Sequence, residues 1–240
     1  MTRLLWSLLL VASTACAQPA AQMPPMPYAG PPGFPDVSGG RVAIISMKET
    51  RGKTGELDIG PEPTLGERFK RGSPDRVIVG EPDGWMADLD AYRRVVKPAS
   101  EVMPKATVRL SSLQGTSFER MTLLGYLPGG GLPQGPWTAV QRLFATASGE
   151  LVLLKEYDFG LDGGGVVMFD EMLNTKVGAS RATIKVTKTR EATQTIVSWV
   201  SGTRRIELLA VCKLVQGCAD PDDWREIASS LPAAPTSKAQ

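Results

Sequence analysis

The sequence predicts an α+β domain, an antiparallel sheet running as a meander and covered by one or two helices, behind a disordered Pro-rich N-terminal tether. Three observations predict it. Residues 181–187, 193–200 and 204–211 are β-type runs separated by short polar turns, and tight turns join neighbouring strands antiparallel. Residues 220–231 (DPDDWREIASSL) then switch to helical spacing. Residues 18–40 are rich in Pro, Gly and Ala without apolar periodicity, so they bury too little apolar surface to offset their ordering entropy.

The chain opens MTRLLWSLLLVASTACAQPA. Arg3, the short apolar run 4–12 and Ala15-Cys16-Ala17 make a tripartite secretory leader over residues 1–17, cleaved after Ala17. An alternative reads residues 13–16 as a lipobox with Cys16 as an acylated anchor. The apolar run is too short to span a bilayer, which takes about 20 residues. The expected location is therefore the periplasm, with a lipid-anchored or extracellular form as the alternative.

A single domain is expected over residues 41–231, with a possible subdivision near 100–105 and an unstructured tail at 232–240. The Val/Ile-rich runs 41–47 and 76–79 read as strands. Residues 82–96 place Trp85, Leu89, Tyr92 and Val96 at helical spacing, which predicts an amphipathic helix. Residues 107–110 and 120–126 read as strands, and 129–136 as a Gly/Pro surface loop ending at Trp137. Residues 138–146 and 151–159 flank ASGE and form a hairpin, although the first arm also fits a helix. Gly163-Gly164-Gly165 marks a turn before VVMF. In the final helix Asp220 suits the N-cap and Pro221 the first turn, while Trp224, Ile227, Ala228 and Leu231 line one face.

The stretch VGASRATIKV, TIVSW, SGTRRIELLA and the acidic helix ending IASSL resembles the C-terminal part of bacterial lipoprotein-carrier-like envelope modules, a group that includes sensor domains associated with anti-sigma factors. The resemblance covers residues 175–231. It implies a curved antiparallel sheet with helices on its concave face, where an acyl chain or a partner protein binds. The Cys212 and Cys218 pair departs from that pattern, and the resemblance transfers no functional residue.

Chemistry is limited by what the chain lacks. With no histidine, it can build no Ser-His-Asp or Cys-His constellation and no histidine metal site. No serine stands three residues before a lysine. The GKT at 52–54 lacks the first glycine of a phosphate loop, whose place is taken by Met47. Removing Arg3 with the leader lowers the net charge from +2 to +1, so no basic surplus points to nucleic acid. The C-x5-C spacing of Cys212 and Cys218 fits neither a redox motif nor a common zinc site, and in an exported chain it predicts a structural disulfide.

The carboxylates Glu156, Asp158, Asp162, Asp170 and Glu171 gather around the GLDGGG turn and read as a solvated face, with glycoside hydrolysis as the rival chemistry. No catalytic residue, metal or cofactor is assigned. The expected function is non-enzymatic binding of a lipid-like ligand or an envelope protein. Trp199, Trp224 and Ile227 are the candidates at the sheet–helix contact, and Trp137 is the candidate on an exposed partner surface. A glycan hydrolase and an inhibitor or immunity protein for a secreted toxin stand as alternatives.

Overall fold

The computed structural model describes residues 35–46, 77–79, 92–130, 135–189, 192–213 and 218–232. The leader, most of the tether, the GKT turn, residues 82–91 of the expected helix, the tip of the Gly/Pro loop and residues 233–240 lie outside them.

Ten strands and two α-helices are described: β1 (Val42–Ile45), β2 (Val77–Val79), α1 (Ala99–Val102), β3 (Thr122–Gly129), β4 (Ala139–Ala145), β5 (Leu151–Asp158), β6 (Val166–Phe169), β7 (Thr175–Val177), β8 (Ser180–Lys188), β9 (Ala192–Ser201), β10 (Arg204–Lys213) and α2 (Pro221–Ser229). The main sheet has the order β2-β8-β9-β10-β5-β4-β3, with β7 also on β8. It is antiparallel except for β2, which joins β8 in parallel. Two three-stranded meanders, β3-β4-β5 and β8-β9-β10, meet along the antiparallel β5–β10 seam. The architecture is α+β, as the strand runs and terminal helix predict.

The two arms around ASGE are both strands, which resolves the ambiguity of the first. Residues 107–110 are a correction, because they form no strand. Val108 is buried in a small cluster with Val102, Trp137 and Val140, so the segment lies across the sheet face. In place of a ladder partner the Arg109 carbonyl accepts from the Arg204 side chain, and just past the segment the Ser111 carbonyl accepts from Arg142. The first apolar run also departs from the meander, since β1 pairs in parallel with β6 in a separate two-stranded ribbon.

Packing starts upstream of Arg41. Val37 is buried, and the Gly39 and Gly40 N–H groups donate to the Gly163 and Gly164 carbonyls at 3.0 and 2.8 Å. Gly165 has to be glycine at this crossing, because a Cβ there would lie 1.7 Å from the Val37 carbonyl oxygen.

The register fixes which side chains share a face. Val152, Leu154, Ile206, Leu208, Ala210, Val197, Trp199, Ala182 and Ile184 point to the face that α2 covers with Trp224, Ala228 and Leu231. The opposite face carries Leu143, Leu153 and Leu209, with Tyr92 and Val96 packed against them. Asp220 caps α2 with a full capping box: its carboxylate accepts from the Asp222 N–H, and Asp223 accepts from the Asp220 N–H. Just upstream, Cys212 at the end of β10 is disulfide-bonded to Cys218, with their Cα atoms 5.5 Å apart. Among the described residues no helix is long and apolar enough to cross a membrane.

Candidate functional site

Two places on the sheet concentrate features that a plain core would lack. One is a groove of about 130 Å³ on the face opposite α2, where β6 and the 3-10 turn Asp170–Met172 lie over the ends of β8, β9 and β10. Its walls are Val166, Val167, Met168, Phe169, Met172, Leu173 and Val200, with Thr183, Ser198 and Arg205 supplying polarity. The turn is held in place by Thr183, whose hydroxyl donates to the Met172 carbonyl at 3.2 Å, and by Asn174, which brackets Ile184 through both its backbone groups. Arg205 is the charged residue of the lining; its side chain is half exposed and lies 3.5 Å from Glu207. Two methionines in a small apolar wall give an adaptable surface, since their side chains rotate freely and are polarisable.

The second place is a charged cluster inside the α2 side of the sheet. Glu156 is fully buried, and Arg142 and Arg204 beside it have side chains only 5% exposed. The register explains the meeting: Glu156 lies between Val140 and Ile206, so Arg142 on β4 and Arg204 on β10 are its diagonal neighbours at opposite corners. Oε2 accepts from Arg142 Nη2; Oε1 accepts from Arg204 Nη1 at 3.2 Å, the Ser111 N–H at 2.8 Å and the Ser111 hydroxyl at 2.7 Å. Burial pushes the Arg142 guanidinium below its ordinary value, and the Glu156 carboxylate works against that fall. Both carboxylate oxygens are engaged and shielded from water, so Glu156 sits where a sugar cannot reach it.

The carboxylates expected to form one solvated face are thus separated, and for Glu156 that expectation is corrected. Asp158 accepts from the Gly160 N–H at 3.1 Å, and Asp162 accepts from the Thr138 hydroxyl at 3.0 Å. Asp162 also accepts a hydrogen bond from the Tyr157 hydroxyl; burial first and this bond second push the phenol up to about 12. Asp170 is ion-paired with Arg181, and Glu171 accepts from the Ser46 hydroxyl at 2.6 Å.

The tryptophans are also distributed differently from expectation. Trp199 and Trp224 are buried in one cluster, with Ile227 partly buried against it, so these three do meet at the sheet–helix contact. Their contact is packed by Ala228 and Leu231, and the groove is on the other face. Trp137 is 6% exposed, which corrects its placement on an outer surface. Its carbonyl accepts from the Thr107 N–H at 2.8 Å, its ring packs with Val102, Val108 and Val140, and Lys105 lies 5.5 Å from the ring centroid.

Sequence reasoning missed Met168, Met172 and Arg205 because nothing in a short VVMF run shows which strand ends it will cover. The charged cluster did leave a signal. Arg142, Glu156 and Arg204 each occupy the inward parity of their strands, in step with Phe144, Leu154 and Ile206. No family model, no curated protein and no solved structure matches the chain.

Proposed function

We propose that the chain is an exported, non-enzymatic binding protein of the cell envelope that receives the apolar end of a lipid-like, anionic ligand in the β6 groove. The groove is the observation that carries this reading. Its walls are apolar, and Arg205 offers a cation to an acidic head group. At about 130 Å³ it is smaller than the roughly 300–1,000 Å³ of sites for drug-sized molecules, so it fits the end of a chain. The disulfide is compatible with an oxidising compartment, and the enclosed, fully engaged Glu156 favours a binding role over hydrolysis.

Titration of the protein with laurate, followed by displacement of an anilinonaphthalene sulfonate probe, tests the proposal. Met172→Trp, which fills the groove from the 3-10 turn, is expected to weaken laurate binding at least tenfold. Arg205→Glu is expected to weaken laurate but to leave dodecanol unaffected. Unchanged laurate affinity in both variants would sink the reading. If the wild type ignores amphiphiles but captures an envelope protein that Met172→Trp no longer holds, the groove serves a partner's apolar side chain.

A further inference from the structure

We infer that the buried Arg142–Glu156–Arg204 cluster is a binding site for one small monovalent inorganic anion of the chloride class. Two guanidinium groups stay protonated at any ordinary pH, and one carboxylate ion-pairs with both, which leaves a surplus of one positive charge beneath the sheet surface. Enclosing an uncompensated charge costs several kcal/mol even after relaxation.

The neighbouring groups do not remove that surplus. Asp158 lies directly across the ladder from Arg204, but its Oδ1 accepts from Gly160 and no ion pair joins the two. Tyr126, across from Arg142, brings no carboxylate. The Arg109 and Ser111 carbonyls accept from Arg204 and Arg142, and each contributes only a partial charge.

Arg142 Nε and Arg204 Nη2 are both buried and find no hydrogen-bond acceptor in the protein. The same two side chains that hold the excess charge therefore each keep an N–H for an outside acceptor. A water molecule would satisfy a donor but not the charge; a small anion satisfies both. The surplus of one selects a monovalent ion, and the burial of both arginine side chains selects a compact one over sulfate or a phosphate ester.

Thermal unfolding of the full chain at fixed ionic strength, with chloride replacing gluconate, tests the site. At chloride about ten times its Kd, the midpoint is expected to rise by roughly 3–6 °C and then saturate. Arg204→Met, which removes the surplus, is expected to abolish the rise, while Arg181→Met at the surface keeps it. Line broadening of the 35Cl resonance by the wild-type protein reads the same site and remains available if Arg204→Met does not fold. A midpoint that follows ionic strength regardless of the anion, together with no 35Cl broadening, would overturn the proposal. So would full chloride dependence in a folded Arg204→Met protein.

Discussion

At the scale of single residues, the outcome turns on Glu156. Its neighbours in sequence are ordinary strand residues, and its acidity alone suggests an exposed position. Strand parity says otherwise, because Val152, Leu154 and Glu156 must point the same way. What parity cannot supply is the pair of arginines, which arrive from β4 and from β10, 48 positions later than Glu156. The cluster was thus legible as three inward charges and illegible as a contact. Replacing Glu156 by Gln keeps the shape but leaves two buried guanidinium groups without a counter-charge. Denaturant unfolding is expected to show a loss of about 3–5 kcal/mol, the range for breaking one side of an enclosed ion pair. A loss below 1 kcal/mol would mean that the groups are hydrated.

Among the elements, α2 was the most legible. Asp220, Pro221 and the Trp224, Ile227, Ala228, Leu231 spacing specify its start and its buried face, and both stand in the structure. Asp220→Ala removes the cap acceptor for the first-turn N–H groups, and is expected to lower stability by about 1 kcal/mol without altering the sheet. Urea titration followed by far-UV circular dichroism would check it. An unchanged midpoint would show that the disulfide and the buried Trp224 alone position the helix. Residues 107–110 illustrate the opposite case. TVRL has strand propensity, but the Thr107 N–H donates to the Trp137 carbonyl and the Arg109 carbonyl accepts from Arg204, and propensity yields to those tertiary partners.

For the molecule as a whole, the run of turns between strands foretold the β8-β9-β10 meander and the β4-β5 hairpin but not the seam between them. Local hairpins follow from turn chemistry, whereas the β5–β10 pairing joins residues about fifty positions apart and has no local signature. The two parallel pairings, β1 with β6 and β2 with β8, are more distant still. Closing the seam is expected to limit folding. Leu154→Ala, at the centre of the seam, should therefore slow refolding in stopped-flow measurements, whereas a matched loss at Trp224 should chiefly accelerate unfolding. Equal effects of both substitutions on the unfolding limb would place the seam late. The enclosed charges also bear on descent. A lineage that exchanges one member of Arg142, Glu156 and Arg204 for a neutral side chain passes through a strongly weakened intermediate, while an apolar set replacing all three can be as stable as the original. These positions are accordingly expected to drift as a block, so that sister sequences carry either the whole ionic set or a greasy substitute for it.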